Sequence, residues 1–136
     1  MKKPLLPLSL LIASGCAAQS ADVRPNVILL VADDLGYGDL SCYGARRVET
    51  PCVDSIARAG LVFTDANACA STSTPSRYGL LTGSYPFRKA GTDVAAGNAG
   101  MIIRPEQYTV ADAFREAGYV TGAVGKWHLG LGDKGG

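Results

Sequence analysis

The sequence predicts an α/β fold, and three observations carry that prediction. The run from Asn26 to Ala32 is continuously apolar and rich in branched residues, the pattern of a strand buried on both faces of a parallel sheet. Segments with apolar residues at helical spacing follow it, opened by threonine and closed by glycine. A second branched stretch, Tyr119 to Val124, then leads directly into Gly125-Lys126-Trp127-His128. Strands alternating with amphipathic helices place a sheet between helical layers.

Each element can be read in order. Lys2 and Lys3 precede Leu5, Leu6, Leu8, Leu10, Leu11 and Ile12, a basic start and an apolar run too short to span a bilayer, so residues 1–20 read as a secretory signal. Ala13-Ser14-Gly15-Cys16 brings small residues up to a cysteine, as bacterial lipoprotein processing sites do, with Cys16 as the lipidated residue. Ala13 stands where such sites carry Leu or Val, and ordinary cleavage between Ala17 and Ala21 is the alternative. The expected location is the periplasm, or the outer membrane of a bacterium through a lipid on Cys16. The strand from Asn26 ends at Asp33-Asp34. Thr50-Pro51 offers an N-cap and a first-turn proline, with Val53, Ile56 and Ala57 on one face and Gly60 as the stop. Leu61 to Phe63 is a second strand, and Asp65 to Thr72 is a small polar loop. Pro75 to Thr82 forms a helix closed by Gly83, with Thr74 placed to cap it. Gly91 to Gly100 is a flexible insertion or turn region. Thr109 caps a last helix through Ala117, ended by Gly118, and Tyr119 to Val124 is the next strand.

Composition removes several classes of function. Of the 136 residues, 47% are hydrophobic and 18% charged, which excludes a disordered or nucleic-acid-wrapping chain. Thirteen basic residues stand against twelve acidic ones, and losing Lys2 and Lys3 with the leader turns the balance from +1 to −1. No global field selects a polyanion, so recognition is local and no nucleic-acid partner is expected. There are four cysteines. If Cys16 is lipidated, Cys42, Cys52 and Cys69 remain; the first two can pair, and three unbridged side chains are the alternative. Their spacing does not suggest zinc.

Three polar clusters follow strands or open helices, where open α/β sheets place ligands. Asp33 and Asp34 supply two hard carboxylate ligands at a strand end, although paired acids also serve as solvated turn residues. Ser73-Thr74-Pro75-Ser76-Arg77 puts a hydroxyl at a helix start, where free N–H groups and the positive dipole end favour an anion, with Arg77 one turn inside. Lys126 and His128 lie two apart, which in an extended segment points both to one side, and a cation beside a titratable base suits anion binding with proton transfer. A lone histidine otherwise serves as a structural hydrogen-bonder.

Three motifs resemble, in order, the N-terminal part of a type I sulfatase. They are Val31-Ala32-Asp33-Asp34-Leu35-Gly36-Tyr37-Gly38-Asp39, the run from Ser73 to Pro86, and Gly125-Lys126-Trp127-His128-Leu129-Gly130. The resemblance covers Pro25 to Leu131 and implies an alkaline-phosphatase-like sandwich, its central sheet largely parallel and flanked by helices, present here as a truncated portion spanning 21–136. The family motif is Cys or Ser, any residue, Pro, Ser, Arg, with its first residue oxidised to Cα-formylglycine (3-oxoalanine). Ser73 occupies that position, which makes this a serine-type variant matured by a radical enzyme. Cys69 lacks the Pro and Arg that the motif requires.

The resemblance implies hydrolysis of sulfate esters, on a sulfated small molecule or glycan. A serine attacking sulfur would leave a covalent ester needing a second displacement, whereas a hydrated aldehyde has a second hydroxyl whose deprotonation expels sulfate. Asp33, Asp34 and the Ser73 oxygens would bind calcium, Arg77 and Lys126 would stabilise the hydrate and the sulfate charge, and His128 would be the base. The family's other ligands, an Asp and usually an Asn, with a further His and Lys, belong to a later part of the chain, so these residues alone are expected to be inactive. Cys52 stands where relatives more often carry Asn. Two other readings use the same residues: a phosphoryl-transferring relative with an unmodified hydroxyl, and a catalytically silent glycan-binding protein.

Overall fold

The computed structural model describes residues 24–132, which leaves the leader and Cys16 outside the described residues. The chain divides into Met1–Val31 and Ala32–Gly136. In the first unit, residues 24–31 are exposed and carry no regular secondary structure. A parallel strand exists only where neighbours take up its N–H and C=O groups, and none does so here.

The second unit is organised by helices and turns. Helix α1 spans Pro51–Ala59, α2 spans Ser73–Thr82 and α3 spans Val110–Glu116. Short 3-10 turns cover Tyr37–Asp39, Ser41–Tyr43 and Pro86–Arg88. Leu61 to Phe63 and Tyr119 to Val124 are not strands either: Val120 and Val124 are wholly exposed, and the sole β-bridge among the described residues is an isolated parallel pair, Gly100 with Gly132. The apolar sequence of these segments matches a sheet interior, but its ladder partners are not among the described residues.

The helix boundaries follow their punctuation. Proline opens α1 and Gly60 ends it, but the Thr50 hydroxyl caps no helical N–H. It accepts from the Ser41 backbone N–H at 3.0 Å and donates to the Asp54 carboxylate at 3.0 Å. Helix α3 keeps its capping box: the Thr109 hydroxyl accepts from Asp112 N–H, and the Asp112 carboxylate accepts from Thr109 N–H. Cys42, Cys52 and Cys69 are all free thiols, so the feasible Cys42–Cys52 pair is not formed.

A small core lies against α2. Tyr78, Ile103 and Leu129 are buried, with Leu81 and Ile102 packed on them. Leu129 is fully buried, which in general stabilises by about 1.5–3 kcal/mol. Its carbonyl accepts from Ile102 N–H at 2.9 Å. Gly130 follows in the left-handed region at φ +77°, and a Cβ there would fall on the Gly100 carbonyl. Only glycine lets these two backbones meet. On the other side of Tyr78, Gln107 Nε2 donates to its hydroxyl at 2.8 Å and Lys89 donates to the Ile102 carbonyl at 2.7 Å. These contacts fix the loop that follows Val124 against α2.

Asp54 joins α1 to the Ser41–Tyr43 turn, accepting from Cys42 N–H at 3.0 Å as well as from Thr50. Desolvation pushes its carboxyl up, and hydrogen bonds from Thr50, Ser41 and Cys42 outweigh that and hold it below the ordinary 3.8. A carboxylate depressed in the folded state stabilises the fold above its unfolded pKa and loses that contribution as pH falls through the lowered value. In the full-length protein, carboxyl-carbon NMR is expected to show Asp54 titrating below 3.8; a midpoint at or above that value contradicts the assignment.

Candidate active site

Ser73 is the first residue of α2, two positions earlier than proline spacing alone suggests. Thr72 is extended at φ −119° and ψ 161°, and Ser76 N–H donates to its carbonyl at 3.1 Å, closing the first turn. Pro75 lies inside that turn, where its missing N–H costs nothing. Gly83, left-handed at φ +65°, ends the helix through its N–H to the Gly79 carbonyl. Thr74 is therefore inside the helix and is no cap. Its fully buried hydroxyl donates to the His128 carbonyl at 2.9 Å and accepts from Ala95 N–H at 3.0 Å.

Arg77 is four residues after Ser73, and helical side chains lean toward the N-terminus, so its guanidinium lies back over the serine. Nε donates to Ser73 Oγ at 2.9 Å, Nη1 to the Lys126 carbonyl at 2.8 Å and Nη2 to Asp33 Oδ1 at 2.7 Å. Lys126 Nζ donates to the other Asp33 oxygen at 2.5 Å. Three of the sequence clusters therefore meet: serine, arginine, lysine and aspartate form one connected array. Lys126, then Arg77, hold the Asp33 carboxyl below its ordinary range. The Arg77 side chain is 15% exposed and that of Asp33 38%, so this pair stays in partial contact with water.

His128 is reached differently from what an extended spacing predicts. Its backbone is left-handed at φ +54°, which breaks strand alternation, and the two side chains go to separate partners: Lys126 to Asp33, His128 Nε2 to the Ala95 carbonyl at 3.0 Å. A carbonyl only accepts, so Nε2 carries a proton, and in the neutral form of the ring Nδ1 holds the lone pair. Nδ1 is buried and without a hydrogen-bond partner. Asp34 is the other non-glycine residue with positive φ among the described residues, at +58°, and it makes no hydrogen bond or ion pair among them. Such backbone conformations cost about 1–3 kcal/mol each and gather at functional sites; here both belong to residues singled out from sequence.

The donor set fits a hard cation in part. Asp34 offers an unpartnered carboxylate beside Asp33, and Ser73 Oγ adds an oxygen at the start of α2, whereas calcium takes six to eight oxygens. Among the described residues, no group of three or more His, Cys, Asp or Glu side chains comes together as a metal cluster. A cleft of about 500 Å³ is lined in part by Lys89, Asp93, Ala95, Met101 and Arg104. The sequence marks Thr74 only as a helix cap, since it is the variable position of its motif, and Ala95 carries no signal because it acts through its backbone.

The family model for sulfatases matches residues 25–136. The chain belongs to the sulfatase family. This sulfatase chain is 52% identical over 139 residues to an N-acetylgalactosamine-6-O-sulfatase of Bacteroides thetaiotaomicron, covering 98% of the chain and 27% of the relative. It is 47% identical over 133 residues to human arylsulfatase A, covering 95% of the chain and 25% of that protein. A solved structure described under the metabolism of multiple glycosaminoglycans by Bacteroides thetaiotaomicron superposes with a TM-score of 0.80 at 59% identity, over 82% of this chain and 23% of that one. The sulfatase chain thus spans about a quarter of the length of the curated relatives it matches, and its fold is the alkaline-phosphatase-like fold of that family.

Of the Asp33-Asp34 pair, Asp34 is the carboxylate without an ion pair among the described residues. In the full-length protein, Asp34→Ala is expected to weaken calcium binding at least about tenfold by isothermal titration calorimetry. Unchanged affinity removes Asp34 from any metal site.

Proposed function

We propose that the protein to which this chain belongs hydrolyses sulfate esters of carbohydrate, with Ser73 as the residue oxidised to formylglycine. The observation that carries this reading is the array in which Arg77 joins Ser73, Asp33 and the Lys126 backbone while Lys126 itself holds Asp33. Identity to an N-acetylgalactosamine-6-O-sulfatase supports a 6-O-sulfated amino sugar as substrate. The surrounding architecture in this reading is a largely parallel sheet flanked by helices, for which the apolar runs at Asn26 to Ala32 and Tyr119 to Val124 supply strands.

Asp34 and residue 73 would hold calcium, together with Asp33 once its oxygens turn from Arg77 and Lys126 to the ion. The formylglycine supplies a carbon bearing two hydroxyls, one to accept the sulfuryl group and one through which sulfate is released, and calcium supplies charge for the sulfate oxygens. Arg77 orients the oxygen on residue 73 through Nε. Lys126 and Arg77 place two positive charges around Asp33, so an incoming sulfate meets cations already fixed by a carboxylate and needs little reorganisation. The N-terminus of α2, at Ser73, adds its dipole to the same end. In the neutral form of its ring, His128 Nδ1, which has no hydrogen-bond partner among the described residues, would be the atom that accepts a proton.

Maturation in this reading requires a radical-type sulfatase-maturing enzyme acting on the serine motif. The basic start and short apolar run of residues 1–20 support export, with a lipid on Cys16 as the membrane attachment.

Expression of the full-length protein with such an enzyme is expected to yield a peptide spanning Ser73 that is lighter by the loss of two hydrogens, about 2 Da. An intact serine in a protein that still cleaves 6-O-sulfated N-acetylgalactosamine overturns the mechanism, and turnover of phosphate esters alone points to the phosphoryl-transferring relative. Replacing the base, His128→Ala, is expected to lower kcat by about 10²–10⁴-fold in the same assay. A change under threefold would assign proton transfer elsewhere.

A further inference from the structure

We propose that Thr74 is a positioning residue that locks the His128 base to the helix carrying Ser73, through a closed circuit of three hydrogen bonds. The inference rests on the sulfatase reading for its catalytic consequence, but its geometry stands independently. Thr74 Oγ1 donates its single proton to the His128 carbonyl at 2.9 Å, and the same oxygen accepts from Ala95 N–H at 3.0 Å. The Ala95 carbonyl in turn accepts from His128 Nε2 at 3.0 Å. One hydroxyl thereby fixes both the backbone of the base and the residue whose carbonyl sets its tautomer.

Several features make this circuit rigid. Thr74 is fully buried, so no water competes for its hydroxyl. It sits in the first turn of α2, immediately after Ser73, so any movement of the helix start moves both reacting groups together. Its partners are 21 and 54 residues away in sequence, which ties the 91–100 region and the loop after Val124 to one point. His128 has a left-handed backbone at φ +54°, a conformation that persists only where surroundings over-determine it; the bond to its own carbonyl is such a restraint. Next to it, Leu129 buries its side chain against Tyr78 of the same helix, but that contact places the chain without choosing the ring's proton.

Loss of the hydroxyl leaves the His128 carbonyl and Ala95 N–H without partners and lets the Ala95 carbonyl drift from Nε2. The neutral ring then populates both tautomers, and in one of them Nδ1 carries a proton and cannot accept another. Small displacements of a catalytic group cost up to about 10²-fold in rate.

Two variants of the full-length, matured enzyme separate this role from simple packing. Thr74→Val keeps the shape and removes the hydroxyl; it is expected to lower kcat about 10–100-fold with KM changed less than about threefold. Thr74→Ser restores the hydroxyl and is expected to recover kcat to within about threefold of the parent. Thr74→Ala serves the same comparison if the valine protein cannot be isolated. Formylglycine content, measured by mass, normalises each rate to matured enzyme. A readout free of turnover is the ¹⁵N spectrum of histidine-labelled protein at a pH where the ring is neutral, with His128 identified by the resonance lost in His128→Asn. The parent should show an unprotonated Nδ1 and a protonated Nε2, and Thr74→Val should show averaging of the two.

Parent-like kcat and tautomer in Thr74→Val overturn the proposal, as does a serine variant as slow as the valine one, which would assign the effect to the methyl group. A parent protein with a fixed tautomer but no sulfate-ester hydrolysis would instead overturn the functional reading and leave the circuit in place.

Discussion

The site depends first on the fork of the Arg77 guanidinium. Its three nitrogens reach three parts of the chain: the serine one turn back, an aspartate before the first turn of the unit, and the carbonyl of a lysine far downstream. A lysine in its place would supply one movable ammonium with no fixed directions. Because the fork is planar, those partners are held in a common geometry, and the second cation, Lys126, pairs with the other oxygen of Asp33. Two cations around one carboxylate leave an excess of positive charge for an incoming anion, beside a helix start of the same sign.

Opposite in character is the treatment of the histidine. The cationic array is built from charged groups in partial contact with water, whereas His128 is fixed by neutral hydrogen bonds to main chain and a buried hydroxyl. Charges attract over distance and tolerate small shifts, while a base requires the right nitrogen to be free, which only directional bonds can arrange. The array is therefore held by electrostatics and the histidine by hydrogen-bond geometry.

What was legible in the sequence was whatever local chemistry decides. Pro51 and Gly60 bracket α1, Thr109 caps α3, and Gly83 ends α2, because each acts on its own few residues. Asp33, Ser73, Arg77 and Lys126 could be grouped because motif chemistry brings them into one array. The start of α2 at Ser73 lies outside what local spacing predicts, because the Thr74 hydroxyl is drawn to partners 21 and 54 residues away instead of capping the helix. The direction of His128 was hidden by its backbone conformation, which no spacing rule encodes. The strands were readable as composition only: Val27 to Val31 and Tyr119 to Val124 carry sheet-like residues, but a strand is a property of neighbouring chains and not of its own sequence.

The contact between Gly130 and Gly100 bears on how this protein tolerates genetic change. A side chain at residue 130 would have to occupy the space of a backbone carbonyl while its own φ is +77°, so nearly every codon change there forces the loop away from its partner. Two residues upstream, His128 would move with it. A random-mutagenesis screen for lost function would therefore rank Gly130 beside the residues that perform the chemistry, although it offers no side chain at all. Lesions of that kind mimic active-site damage, and they mark a position where inheritance is constrained by the space between two backbones.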